Sequence, residues 1–506
     1  MPKEIFINVS PHEKLVAILK DKRIDEFYIE RPEAVNFVGS VYKGKVESVL
    51  PGIGAAFVDL GLEKNGFLYV SDVVAAPSTY EKTLADEAEE IEFETKEPRR
   101  DLPAISELLK KGDEVLTQVV KEPIGTKGPR LTTHVSIPGR FLVLMPFDNH
   151  IGLSRRIEDR NERERIKKIL ESLKLPKDMG FIVRTAAQGA SQKDFFRESR
   201  FLIRLWYHIK TKAKRFKAPA LIHQEYDIVL RVARDLFAAD VVKFEVDSNL
   251  EFRRLSRFLQ ALAPHLRSKL RLFRERMPLF EKYDIEKQID KIYDRIVQLK
   301  SGGYLIFDQT ESLVAIDVNS GKFVGKKNLE ETVFRTNLEA AGEIPRQLRL
   351  RDLGGIIIID FIDMDLPNHR RSVFKTLETA LEADKAKTKI LNISSIGLVE
   401  MTRQRVRQSI EMKSYQRCPY CNGKGIVKSI ATISIELIRR LERFLETTKS
   451  RDVFVSLHPD VAYYISNPER NMIRPLEKRF RKAVRIIEDA NLHIEDIKIE
   501  EGRASS

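Results

Sequence analysis

The chain opens with three short runs of crowded or alternating apolar residues, EIFINV, KLVAIL and, after a KDKR turn, IDEFYIE. Patterning of this kind, rich in branched and aromatic residues, predicts strands. Three strands are too few to close a core alone. From Val38 to about Arg130 the pattern becomes short strands with glycine-rich breaks, VGSVYKGKVESVL, GAAFVDLG, NGFLYV and DEVLTQVVK, which predicts a small barrel of the OB kind. The interruption from Glu81 to Asp101 is strongly acidic and reads as a solvated surface insertion, unfavourable as a phosphate contact. From Leu131 to about Ile228, strand patterns (RFLVLMP, FIVRTAA) alternate with charged helical stretches (RNERERIKKILESL, RFLIRLWYHIKTKAKRF). VVKFEVD then leads into a basic stretch read as helical, Arg253 to Arg276. Between Lys291 and about Arg407 strands and helices alternate, the signature of a sheet flanked by helices. After CPYCNGKG, SIELIRRLERFLETTK patterns as an amphipathic helix, followed by the strand DVFVSLH and a charged helix near Pro475 to Asp489.

Composition narrows the field. At 506 residues the chain should hold three or four compact units, and 42% hydrophobic beside 32% charged residues excludes a mainly disordered chain. No uncharged apolar run reaches the roughly 18 residues of a membrane span, and MPKEIFINVS lacks the basic start and apolar core of a signal peptide, which predicts a cytoplasmic protein. Lys and Arg number 88 against 75 Asp and Glu, a net charge of +13, so polyanionic partners, nucleic acid first, are favoured.

Two segments end an apolar strand with a carboxylate: LVAID at Asp317 and GGIIIID at Asp360. Between them Asn328 to Leu353 is helical by pattern, with Leu329, Val333, Phe334, Ala341, Ile344 and Leu348 on a common face and Gly354 as a stop. A strand, crossover helix and strand predict a right-handed parallel unit with both strand C-termini at one edge. Neighbouring strands would bring the two acids within about 5 Å. One Mg²⁺ could bridge them, since this ion typically takes one or two carboxylates plus waters and phosphate oxygens. Asn319 could support a bound carboxylate or water, and Asp363 is a further acidic candidate. A single strand-end Asp more often makes only turn or cap hydrogen bonds; the repetition is what points to chemistry.

Cys418 and Cys421, the only cysteines, share one Cys-x-x-Cys knuckle, half of a tetrahedral zinc site. Histidines or a second copy of the chain would complete it, and the scattered histidines favour the second copy. A redox pair or two ordinary thiols are the competing readings. In the barrel, Phe57, Phe67, Tyr42 and Tyr69 lie on short strands beside Lys43, Lys45 and Lys64, a composition suited to base stacking with cations along the backbone, although most strand aromatics are core residues. Arg184 and Thr185 combine a guanidinium fork and a hydroxyl suited to one phosphate. The basic helices at Arg200 to Lys217 and Arg253 to Arg276 read as RNA-facing or as plain solvated faces.

The segments AIDVNSG, NLEAAGEIPRQLRLRDLGGIIIIDFIDM, GLVEMTRQR and CPYCNGKG, in this order, closely resemble the ribonuclease E/G family. The resemblance extends through GKVESVLPGIGAAFVDLGLEKNGFL, LVLMP, GLSRRIE and VRTAAQG over nearly the whole chain, and the length resembles the type without a long C-terminal scaffold. It implies endonucleolytic cleavage of single-stranded, AU-rich RNA in rRNA and tRNA processing and mRNA decay, leaving 5′-phosphate and 3′-hydroxyl ends. Asp317 and Asp360 match the magnesium ligands and Asn319 the residue that supports them. Cys418 and Cys421 match a Zn²⁺ link shared between two protomers, giving a homodimer, with a homotetramer left open. Phe57, Phe67 and Lys127 match RNA contacts, and Gly139, Val143, Arg155, Arg184 and Thr185 match a pocket that senses a 5′-monophosphate.

By the same resemblance the fold is a multidomain α/β assembly. An RNase H-like domain (1–35 and 230–292) receives an S1-like OB barrel (36–133, with the acidic insertion 76–103) and a 5′-sensor region (134–229). A DNase I-like catalytic subdomain (293–414), a zinc-link (415–428) and a small C-terminal α/β domain (429–506) follow. The acidic insertion departs from the family's shorter barrel. The reading is thus a magnesium-dependent endoribonuclease; the alternative is a non-catalytic RNA-binding or ribosome-maturation factor whose carboxylates are structural.

Overall fold

A computed structural model describes residues 2–502 apart from 32–36, 75–90, 94–102, 124–127, 239, 311, 322–328, 395–396, 405–409, 411–413, 417 and 468–471. Lys127 and most of the acidic insertion lie outside the described residues. The chain divides into two compact units, Met1–Lys413 and Ser414–Ser506. Among the described residues no helix is long and apolar enough to cross a membrane.

In the first unit the opening strands Lys3–Val9, Lys14–Lys20 and Arg23–Glu30 find the partners they lack locally much later in the chain. Lys3–Val9 pairs in parallel with Val241–Val246, which in turn pairs with Leu270–Leu272, making one five-stranded sheet. The Asn8 side-chain amide donates to Asp247 Oδ2 at 2.7 Å across this junction. The basic stretch after it is not one helix. It is helical over Asn249–Leu262, turns at Pro264 and ends in the strand Leu270–Leu272, because a proline disfavours helical backbone in the residue before it.

The barrel closes through Val41–Leu50, Ala55–Asp59, Gly66–Tyr69, Arg130–Thr132 and Glu114–Lys121, the last returning to the first. Val46, Ala56, Val58, Leu68, Val119 and Leu131 fill it. Tyr42, grouped by sequence with the stacking candidates, is 5% exposed and belongs to this core. Part of the acidic insertion is not loop: Ile91–Phe93 pairs antiparallel with Ile151–Ser154 at the edge of a neighbouring five-stranded sheet. That sheet also holds Ile137–Pro138, Leu142–Met145 and Gly180–Val183, and packs against the helices Arg160–Ser172 and Gln192–Arg215.

The third sheet of this unit runs Ile296–Gln298, Tyr304–Gln309, Leu313–Asn319, Gly355–Asp360, Leu398–Arg403, Thr388–Ile390 in spatial order. Its only parallel pair among the described strands is Leu313–Asn319 with Gly355–Asp360, joined by the helix Leu329–Arg351. The helix stops three residues before Gly354, at Arg351: Asp352 takes the left-handed conformation (φ 52°), and the Leu353 N–H bonds the Leu348 carbonyl. Among the described residues, helices cover one face of this sheet. Val333, Ala341, Ile344 and Leu348, with Val373, Leu377 and Leu381 of Pro367–Leu381, pack onto Val314, Ile316, Val318, Ile357 and Ile359. The opposite face carries Ala315, Asp317, Ile356 and Asp360, with Ile356 50% exposed.

The second unit packs Ile430–Thr447 on a three-stranded sheet with Asp452–Leu457 in the middle. The charged segment expected to be helical to Asp489 stops at Phe480 and becomes the strand Ala483–Glu488. Arg481, at φ 52°, makes the break, and Val484 and Ile486 then face the core.

Candidate functional site

Asp317 and Asp360 are register partners on adjacent parallel strands and both are exposed on the open face of their sheet. Their position follows from alternation: Val314, Ile316, Val318 and Ile357, Ile359 turn inward, so the acids between or after them turn outward. The Asn319 amide donates to Asp317 Oδ2 at 2.8 Å, as the spacing of two along one strand permits. Burial, then the neighbouring Asp317 and Asp363, lifts the Asp360 pKa above the usual carboxylate range. Repulsion of this kind is what a bound cation relieves. The Asp317 and Asp360 carboxylates could hold one cation together with solvent, a ligand set that suits Mg²⁺.

The loop after Asp360 is pinned from the helix behind it. The fully buried Asn337 amide donates to the Ile362 carbonyl at 2.8 Å, and its carbonyl accepts the Ile362 N–H at 3.2 Å. Glu330 accepts the Asp365 and Leu366 N–H groups and pairs with His369 at 2.8 Å. On the other side, a Cβ at Gly303 would stand 2.6 Å from the Asn319 carbonyl, so only glycine admits this approach. Asn337, Glu330 and Gly303 carry no signal of their own in the sequence.

On the barrel, Phe57 and Phe67 are cross-strand partners with ring centroids 5.3 Å apart, and Tyr69 lies 4.5 Å beyond Phe67. All three stand on the outside, since Ala56, Val58 and Leu68 point inward. Arg130, unremarked in the sequence, completes the row: it is the register partner of Phe67, sits 5.3 Å over the Tyr69 ring and pairs with Asp72 at 2.9 Å. Lys43 is engaged elsewhere, with Glu114 at 2.6 Å and the Phe216 carbonyl.

Gly139, Arg184 and Thr185 meet at one end of the second sheet, where the strand Ile151–Ser154 leads into Arg155. Arg184 donates to the Gly139 carbonyl at 2.7 Å, and the Thr185 hydroxyl lies 3.0 Å from that of Ser154, the residue before exposed Arg155. A Cβ on Gly139 would fall 2.1 Å from Glu198 Oε1. Val143 is 1% exposed within Leu142–Met145, so it can shape the floor but not the rim. Asp235, which nothing in the sequence marked, accepts from Arg184 at 2.7 Å and is gripped by Arg234. Burial pushes its pKa up, but Arg234 and Arg184 outweigh this and hold it below the usual range. The loop behind is tied down by Glu162, which accepts from Gly189, and by Arg165, which donates to the Ala190 carbonyl.

In the second unit, Cys418 is exposed and Cys421 partly so. The turn is closed by Gly423 N–H to the Cys418 carbonyl and Lys424 N–H to the Cys421 carbonyl, with Gly425 N–H on Cys421 Sγ at 3.2 Å. The Gly425 N–H and the Cys418 thiol draw the Cys421 pKa down, the state a metal thiolate needs. The helix that follows is capped by Ser429, not by either cysteine.

Comparison with known proteins covers both units. Residues 136–406 match the Ribonuclease E/G family and residues 417–502 the RNase E/G thioredoxin-like domain. The chain is 42% identical to Ribonuclease G of Escherichia coli (strain K12) over 96% of its own length and 97% of that protein's. It is 41% identical to Ribonuclease G of Haemophilus influenzae over 94% of each chain. Against Ribonuclease E of Escherichia coli (strain K12) identity is 38% over 94% of this chain and 44% of that longer protein.

Proposed function

Because this chain belongs to the ribonuclease E/G family, we propose that it is an endoribonuclease of RNA processing and decay that cuts single strands at the Asp317–Asp360 pair. The observation that carries the reading is the in-register placement of these two acids on an exposed sheet face, with Asn319 bonded to one of them. Family membership disfavours the alternative of a non-catalytic RNA-binding or maturation factor.

Asp317 and Asp360 would hold one Mg²⁺, which when bound supplies the positive charge that acidifies a water and neutralises developing charge on a phosphodiester. Asn319 holds the Asp317 carboxylate in one orientation, and Asn337 with Glu330 fix the loop that follows Asp360. Phe57, Phe67 and Tyr69, edged by Arg130, offer faces on which unpaired bases stack. Arg184, held by Gly139 and Asp235 beside Thr185 and Arg155, reads a 5′-monophosphate; products keep the 5′-phosphate and leave a 3′-hydroxyl. The Cys418–Cys421 turn would supply two thiolates to a structural Zn²⁺, with the matching pair of a second copy of the chain supplying the other two. The thioredoxin-like likeness concerns the domain, since neither thiol sits at the helix N-terminus that activates a redox cysteine.

The test is cleavage of one single-stranded RNA bearing either a 5′-monophosphate or a 5′-hydroxyl, with and without Mg²⁺. Asp317→Asn and Asp360→Asn should each lower the rate by at least about a hundredfold while RNA binding persists. Arg184→Ala should erase the advantage of the phosphorylated end alone. Undiminished cleavage by either Asn variant would end the assignment of the acids.

A further inference from the structure

We infer that the outer face of the helix Gln192–Arg215, whose basic residues left an RNA-facing and a merely solvated reading open, is a second docking track for single-stranded RNA, separate from the acid pair, the barrel aromatics and the 5′-sensor residues. It rests on the reading of the protein as an RNA-cleaving enzyme and deepens it by giving the substrate a longer footprint.

The helix has a clear division of faces. Phe195, Leu202, Trp206 and Ile209 enter the core of the second sheet. Opposite them, at spacings of three and four, stand exposed Lys193, Phe196, Arg200, Arg204, Tyr207, Thr211 and Arg215. The helix carries eight Lys and Arg against two acids, and neither acid offsets the outer charge. Glu198 is 1% exposed inside the fold, and Asp194 is taken up by the Ser191 capping box and by Arg197 at 3.1 Å. A solvated helix face normally interleaves both signs. This one does not.

Aromatic exposure is the independent observation. Phe196 and Tyr207 are each 49% exposed on this same cationic face, and the Arg200 guanidinium lies 5.4 Å from the Phe196 ring centroid. At Phe196 the surface forms a shallow, open groove of about 690 Å³ lined by Ser172, Gln192, Phe196, Arg197, Arg200 and Arg204 among others. The Gln192 amide donates to Ser172 Oγ at 2.9 Å at its rim. Rings to stack on, beside guanidinium groups for phosphates, match an unpaired strand. A duplex keeps its bases stacked internally and would leave Phe196 unused. The helix, about 36 Å long, can follow a strand over several nucleotides.

The experiment uses the full-length protein and two unstructured RNAs, one long and one just long enough to fill the cleavage site, in binding titrations at several salt concentrations. Arg200→Gln with Arg204→Gln should weaken binding of the long RNA about tenfold and reduce the magnitude of its log–log salt slope by about 1.4, two phosphate contacts on a single strand. Phe196→Ala should weaken it about tenfold with the slope unchanged. Arg200→Lys with Arg204→Lys should restore the slope, and cleavage of the short RNA should be wild-type in all three. Long-RNA binding and slope unchanged in the Gln variant would overturn the track. So would equal losses on both RNAs, duplex competing as well as single strand, or a shift in sedimentation with RNA binding intact, which would make this face a contact between copies. Failure of the wild-type protein to cut the short RNA would instead count against the proposed function.

Discussion

Glu198 shows how one side chain couples the sensor region to stability. It is 1% exposed, its Oε1 accepts the Phe141 and Leu142 N–H groups, and its Oε2 has no hydrogen-bond partner among the described residues. Burial lifts its pKa from 4.5 to about 7, against the pull of the backbone donors, Arg184 and Arg140. The folded protein therefore binds a proton between those values that the unfolded chain has released, so stability falls as pH rises from about 4.5 through 7. The full effect is about 3 kcal/mol. Glu198→Gln keeps an oxygen for both backbone donors and removes the titration. Its thermal unfolding should be insensitive to pH in this window at this site and should exceed that of wild type at pH near 8; a parallel pH dependence in the two proteins would show that Glu198 is not the group responsible. The sequence could not announce this, since Glu198 lies among charged residues on a helix whose outer face is charged, and only packing distinguishes it from Arg197 or Arg200.

At the scale of elements, the carboxylate pair depends on the helix Leu329–Arg351 as much as on the strands. Its apolar face was legible from spacing, and Val333, Ala341, Ile344 and Leu348 are buried as that spacing required. Its polar anchor was not legible. Asn337 bonds both the N–H and the carbonyl of Ile362 from a fully buried position. Asn337→Ala leaves both backbone groups without that partner and should cost about 1–3 kcal/mol, read as a lower denaturant midpoint. The rate of RNA cleavage should fall with little change in RNA affinity, and unchanged stability and rate would show that the loop holds itself. Helix ends followed the same division between local and tertiary causes. Pro264 stops one helix for a reason visible in the sequence, whereas Asp352 and Arg481 stop others by adopting left-handed backbone at residues that do not require it.

For the whole molecule, the second unit is where assembly is proposed to arise. The Cys418 and Cys421 turn offers two thiols within one chain, so zinc retention and oligomer mass should change together. Cys418→Ser with Cys421→Ser should lose zinc by elemental analysis and sediment as a smaller species; loss of zinc at constant mass would separate the metal from the interface. The sequence by itself determined the order and type of most elements, the two acid-ended strands, the cysteine knuckle and the aromatic composition of the barrel, because these follow from local period, turn chemistry and charge. Tertiary structure alone decided that Asp317 pairs in register with Asp360 on an uncovered face, that Tyr42 turns inward while Phe57, Phe67 and Tyr69 remain partly outside, and that Arg184 finds Asp235. The physical reason is that register, face and partner are set by contacts between segments far apart in the chain, and a strand's own period of two says which residues share a side but not which side is covered.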